Sequence, residues 1–121
     1  MIIVNKTHVS EELIRAVAQD VGLDLRGAGT LEIEFIEGIK SKGISQGNLG
    51  QFFKYGNTYC VQLLPWANTE TLAHELRHAY QAQVMGWEEM NEVYKIEDTE
   101  VGYWENVLEA DAREAGERWR V

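Results

Sequence analysis

The chain has 121 residues, with 20 acidic and 11 basic side chains and a formal net charge of −9. This length is typical of one compact domain, and the acidic surface excludes nucleic acid as an expected partner because it repels phosphate backbones. The sequence contains neither an apolar run of about 18 residues nor a signal-peptide pattern, so no membrane partner is expected. Together with the single cysteine, Cys60, these features indicate a cytoplasmic location.

The N-terminal third predicts a helix followed by a strand. Ser10 can cap a helix over residues 10–21, in which Leu13 and Val17 lie one turn apart on an apolar stripe. Residues 31–35 alternate apolar and acidic side chains, which is the period of a half-buried strand. An N-terminal helix is therefore expected to precede the β structure.

A β-hairpin is predicted in the middle of the chain. Residues 51–55 and 59–64 have the composition of short strands, and Gly56 with Asn57 fits a two-residue turn between them. Together with the preceding strand, they predict an antiparallel sheet of about three strands.

After Pro65 the apolar period becomes helical. Asn68 or Thr69 can cap a helix over residues 70–84, and Gly86 is a natural end to it. This helix is expected to pack against the sheet.

The C-terminal third predicts one further helix. Residues 87–102 are acidic and are not assigned to an element. Within them, the runs 88–92 and 97–100 are interpreted as a solvated loop, with a flexible lid or a cation-attracting rim as the alternatives. Residues 104–119 have Leu108, Ala112 and Ala115 on one stripe at helical spacing. The expected fold is therefore a single α+β domain over residues 1–121.

The predicted helix after Pro65 contains the motif HExxH, formed by residues 74–78. His74 and His78 project from the same helical face one turn apart, so both imidazoles can reach one metal ion. Zinc suits such ligands, and a catalytic zinc keeps one position open for water. Glu75 lies about 100° round the helix from His74, where it can act on that water as a general base.

The motif is rare enough by chance that a functional site is favoured over a coincidental match. HExxH arises by chance in roughly 1 in 200 chains of this length, given ordinary composition. The alternative is an exposed helix face without a role, but the motif has apolar neighbours, which favour a packed position. These neighbours are Leu72, Ala73, Leu76, Ala79 and Tyr80.

A catalytic zinc is expected to have a third protein ligand. No histidine follows His78, so a carboxylate from a later segment is the remaining choice. Glu109 on the C-terminal helix is the preferred candidate. Glu105, one turn earlier, is the rival, and a residue of the acidic segment 88–100 is the third alternative.

These residues resemble a known group of metallopeptidases. The run HELRHAYQ at residues 74–81, followed by LEADA at residues 108–112, is similar to the small gluzincins, or minigluzincins, of bacteria and phages. The resemblance implies a zincin fold and zinc bound by His74, His78 and Glu109, with Glu109 and Ala112 matching a Glu-x-x-Ala pattern on a later helix.

One position departs from that resemblance. Many gluzincins have Asp or Asn four residues after the ligand Glu, where it orients a ligand histidine. This chain has Arg113 there, and Asp111 is the candidate to replace that function. Arg77 points away from the metal by helical angle and is expected to pair with an acidic neighbour.

Two functions from different classes follow from the motif. The first is a zinc-dependent metalloendopeptidase, a hydrolase acting on a peptide or protein substrate. The second is a zinc-binding scaffold or partner-binding protein with little proteolytic activity, and a metal used only for stability is a weaker third. An intact Glu75 favours the enzyme, because a structural site needs no base. Imidazole and carboxylate ligands also suit other divalent ions.

The motif predicts about one zinc ion per chain, measured by elemental analysis of protein purified without chelators. His74→Ala or His78→Ala should lose most of this zinc, because two remaining ligands hold a metal weakly. His8→Ala is the matched control, since His8 is the remaining histidine and lies outside the motif. Absence of metal in the unaltered protein, even after zinc is added, would contradict the prediction.

Overall fold

The computed structural model describes residues 1–36, 49–100 and 106–120. Within them the chain forms a small α+β domain, as predicted. None of the helices in these ranges is long and apolar enough to cross a membrane. The elements in chain order are β1 (Ile2–Lys6), α1 (Glu11–Asp20), β2 (Thr30–Phe35), β3 (Gly50–Tyr55), β4 (Thr58–Leu63), α2 (Thr69–Met85), α3 (Trp87–Glu100) and α4 (Val107–Glu117).

The sheet is mixed, and the prediction of an antiparallel sheet of about three strands is wrong. Its four strands lie in the order β1-β2-β4-β3. β1 pairs with β2 and β2 pairs with β4, both in parallel, whereas β3 and β4 are antiparallel. The difference arises because β4 returns from the hairpin into the space beside β2. β3 is consequently left at one edge of the sheet.

The N-terminal helix is present, but a strand precedes it. Ser10 caps α1 by accepting a hydrogen bond from the Leu13 amide, as predicted. β1 before it pairs with β2, so β1, α1 and β2 form a βαβ unit. The strand was missed because its apolar run is short and its partner lies beyond a whole helix.

The hairpin between β3 and β4 has the predicted turn. Tyr55 pairs with Thr58, so Gly56 and Asn57 are its two loop residues. Gly56 has φ of +55°, which L side chains rarely adopt and glycine adopts without cost. The hairpin thus sets the register of the edge strand next to α2.

α2 extends one residue beyond the prediction at each end, over Thr69–Met85. The Asn68 side chain accepts a hydrogen bond from the Thr71 amide at 3.0 Å and so caps the helix. Its inward face includes Leu72 and Leu76, which belong to the same apolar core as Phe52 and Val61 of the sheet. This packing fixes the helix that contains the HExxH motif.

The segment interpreted as a solvated loop is the helix α3. Trp87 packs edge-on against Phe52 with ring centroids 5.6 Å apart, and Met90 and Tyr94 are buried. These three α3 residues are spaced three and four apart, which is one helical face. The exposed glutamates of α3 lie between them and obscure that period in the sequence.

α4 is shorter than predicted within the described residues, over Val107–Glu117, and it packs closely on α2. The two helices approach closely at Gly116, where a Cβ atom would lie 2.9 Å from the Glu70 carbonyl oxygen and 3.5 Å from the His74 Cβ. Ala112 and Ala115, both buried, are small as well. The small residues let α4 approach the helix that holds both histidines.

Gly116→Ala should therefore destabilise the protein, although alanine is the better helix former by about 1 kcal/mol. The added methyl group must displace α2 backbone, and overpacking of this kind costs about 1–3 kcal/mol. Denaturant unfolding measures the change. Glu114→Ala, an exposed site on the same helix, is the control and should stay within about 0.5 kcal/mol. A Gly116→Ala protein more stable than the unaltered one would contradict the close approach.

Candidate metal centre

The two histidines of the motif lie together on one face of α2. Their ring centroids are 5.1 Å apart and the ring planes are inclined at 74°. His78 is fully buried, and the His74 side chain is 18% exposed. The pair therefore lies at the edge of the core, and the alternative of an exposed helix face is wrong.

α4 brings Glu109 to both histidines. One carboxylate oxygen, Oε1, lies 2.5 Å from His78 Nε2, and the other, Oε2, lies 3.6 Å from His74 Nε2. The ligand atoms of the three residues all lie within 4.8 Å of one another. Glu109 is 0% exposed, so it is not the solvated charge that most helical glutamates are.

The tautomer of His78 follows from its neighbour Gln81. His78 Nδ1 lies 2.8 Å from Gln81 Oε1, while Gln81 Nε2 donates hydrogen bonds to the Leu108 carbonyl and to Asp111. The Leu108 carbonyl and Asp111 are both acceptors, so the Gln81 side chain must point its NH2 group toward them. Gln81 Oε1 must then accept a hydrogen from His78 Nδ1, and Nε2 is the ring nitrogen that faces Glu109.

These three side chains fit a metal ion. The Nε2 atoms of His74 and His78 and the two Glu109 oxygens converge at one buried point. Where both Nε2 atoms carry lone pairs, this arrangement is favourable only with a cation between them and the carboxylate. Ligand atoms of a tetrahedral zinc site are about 3.4 Å apart, and the two nitrogen–oxygen distances of 2.5 and 3.6 Å lie on either side of this value. His74, His78 and Glu109 can therefore hold a metal ion.

Asp111 does not contact a histidine directly, but it holds Gln81. Arg77 donates to both of its carboxylate oxygens, at 2.7 and 3.0 Å, which confirms the predicted pairing of Arg77 with an acidic residue. Burial raises the pKa of the Asp111 carboxyl, but the hydrogen bonds from Arg77 and Gln81 outweigh this and hold that pKa below its ordinary value. Asp111 therefore accepts hydrogen bonds as an anion beside the site.

Glu75 occupies the buried side of α2 and is 1% exposed. It is not part of the group of ligand atoms formed by the two histidines and Glu109. Its role as a general base stays a prediction.

The alternatives for the third ligand are separated by position. Glu105 lies outside the described residues. In the acidic segment, Glu88, Glu89 and Glu92 are exposed on α3 and belong to no metal-binding group among the described residues. Among the described side chains, Glu109 is the carboxylate that groups with the two histidines as ligand atoms. The side chains of residues 97–100, also part of the acidic segment, lie outside the described ones.

Sequence reasoning missed two residues that support the site. Asn106 caps α4 by accepting hydrogen bonds from the Leu108 and Glu109 amides, and its own amide group donates to the Tyr94 carbonyl. An Asn before an apolar helical stripe was the available signal for this cap. Gln81 gave no comparable signal, because two of its partners, Leu108 and Asp111, lie on another helix.

Comparison of the chain with protein-family models, with curated proteins and with solved structures finds no match. The function must therefore be inferred from the residues of the site and their geometry.

Glu109→Ala should lower zinc affinity far more than the factor of about 10–100 typical of a residue behind the ligands, because it removes a direct ligand. Zinc affinity is measured by competition with a chromophoric chelator. Glu114→Ala, one helical turn and a residue further along α4 and exposed, should leave affinity unchanged.

Glu105→Ala is measured beside it. If that variant loses zinc while Glu109→Ala keeps near-native affinity, the two roles are exchanged. If neither changes affinity, the third ligand lies elsewhere in the chain.

Proposed function

We propose that the protein is a zinc-dependent peptide-bond hydrolase of the gluzincin type. The observation that carries the proposal is the convergence of His74 and His78 with Glu109, which lies on a separate helix, at one buried point. Two imidazoles and one carboxylate form a set of three protein ligands used by catalytic zinc, which leaves a further position for water. A purely structural zinc site would be closed by a fourth protein ligand.

Glu75 is proposed as the general base. Bound zinc would polarise the substrate carbonyl and lower the pKa of a water molecule to about 7. The Glu75 carboxylate accepts the proton of the attacking water and then donates it to the leaving amine. Burial suits both steps, because a carboxylate shielded from bulk water exchanges its proton with the reactants rather than with solvent.

The substrate is proposed to be an extended peptide alongside β3. β3 is an edge strand, and among the described residues it pairs with β4 alone. α2, which holds the two histidines, packs against both β3 and β4. An extended segment can add to such an edge through backbone hydrogen bonds and so be held beside the site. Of the two hairpin strands, β3 is favoured over β4 as the binding edge, because β4 lies inside the sheet between β2 and β3.

One observation favours the second function, a zinc-binding scaffold. His78, Glu109 and Glu75 are each at most 1% exposed, and His74 is the most accessible of the four. A substrate must bring its peptide carbonyl to these buried side chains. A binding partner can contact the outer surface without reaching them. The two functions differ in what Glu75 does.

Glu75→Gln separates the two functions. The variant should keep zinc affinity within about tenfold, because Glu75 is not a ligand, and should lose hydrolysis by about 10²–10⁴-fold, because the base is removed. Zinc affinity and cleavage of a fluorogenic peptide library measure the two effects. Glu92→Gln, exposed on α3, is the control and should change neither. Zinc binding without any cleavage by the unaltered protein would favour the scaffold.

A further inference from the structure

We infer that Gln81 is a positioning residue for the metal centre, which holds His78 in the tautomer that binds metal and is itself held by α4. The inference rests on the proposed zinc site but concerns residues that are not ligands. Three observations carry it: the fixed orientation of the Gln81 amide, the distance from His78 to Glu109, and the anchoring of Asp111.

The Gln81 side chain is locked in place. It is 4% exposed, and its Nε2 atom donates to the Leu108 carbonyl and to Asp111 Oδ2, each at 2.9 Å. Rotating the amide by 180° would place its oxygen against two acceptors and its nitrogen against His78. The observed orientation is therefore strongly favoured, and it presents an acceptor to His78 Nδ1.

This acceptor matters because a competing hydrogen bond is available. His78 Nε2 lies 2.5 Å from Glu109 Oε1, so a neutral imidazole with its proton on Nε2 would be stabilised there by the carboxylate. Such a tautomer has no lone pair left on Nε2 for a metal. Gln81 stabilises the opposite tautomer, with the proton on Nδ1, and so keeps Nε2 available.

The position of Gln81 depends on α4, the helix that also holds Glu109. Asp111 is two residues after Glu109 and is fixed by the two hydrogen bonds from Arg77. Arg77 Nη1 also donates to the Val21 carbonyl at the end of α1. The packing of α4 on α2 therefore positions the Glu109 carboxylate and, through Asp111 and Gln81, orients the His78 ring.

The test compares three variants. Gln81→Leu removes the acceptor and should weaken zinc binding by about 10–100-fold. Gln81→Glu keeps an oxygen for His78 Nδ1 but loses the amide donor toward Asp111. It should lose thermal stability yet bind zinc more tightly than Gln81→Leu.

Gln83→Leu is the matched control. Gln83 lies on the same helix and makes two hydrogen bonds to the Asp24 backbone, at 2.8 and 2.9 Å, away from the site. Its loss should cost stability without lowering zinc affinity more than about threefold. Equal losses of affinity in Gln81→Leu and Gln83→Leu would overturn the inference, as would a Gln81→Glu protein no better than Gln81→Leu.

A second measurement needs no metal. Nitrogen-15 NMR of the histidine side chains in the metal-free protein should show a hydrogen-bonded proton on His78 Nδ1 in the unaltered chain and in Gln81→Glu, whether or not Nε2 also carries a proton toward Glu109. In Gln81→Leu the acceptor is removed, so the Nδ1 resonance should change. An Nδ1 resonance unchanged by Gln81→Leu would overturn the inference while leaving the zinc site intact. Failure of the unaltered protein to bind zinc would instead overturn the proposed function, and the NMR result would still decide what Gln81 does.

Discussion

The packing of α4 on α2 is the constraint on which the rest of the site depends. It buries His78 and Glu109 together, and burial of either group alone would be costly because each would lose water without gaining a partner. The small residues Ala112 and Gly116 allow the approach, and the Arg77–Asp111 ion pair bridges the two helices beside it. The apolar packing and the pairing of the buried polar groups therefore require the same arrangement of α2 and α4.

Contacts at both ends of α4 keep it in that arrangement. At its start, Asn106 joins the cap of α4 to the Tyr94 carbonyl of α3. Just beyond its end, Trp119 Nε1 donates to Asp20 at 2.8 Å, and Arg120 pairs with Glu70. Exposed pairs such as the last contribute little individually, but together with the buried cap they oppose sliding of α4 along α2. Glu109 is consequently positioned by contacts that do not involve the two histidines.

Sequence reasoning succeeded where the cause of a structure is local. The cap at Ser10, the turn at Gly56 and the spacing of His74 and His78 each depend on residues a few positions apart. It failed for the sheet, because parallel pairing joins strands separated by a helix or by another strand. It also missed Gln81, whose role exists only once α4 supplies Leu108 and Asp111. Glu109, the preferred candidate, groups with His74 and His78, because the apolar stripe of α4 sets which face of that helix is buried.

The charges of the described residues bear on the proposed metal site. Asp111 and Arg77 form an ion pair, so their charges offset each other. Glu109 is the one carboxylate in the group with His74 and His78, so it is the one anionic ligand that this group offers to a cation. A divalent ion held by these three side chains would keep an excess of positive charge, and such an excess lowers the pKa of a bound water molecule. The same three residues would therefore give a bound ion both its position and its electrostatic effect on water.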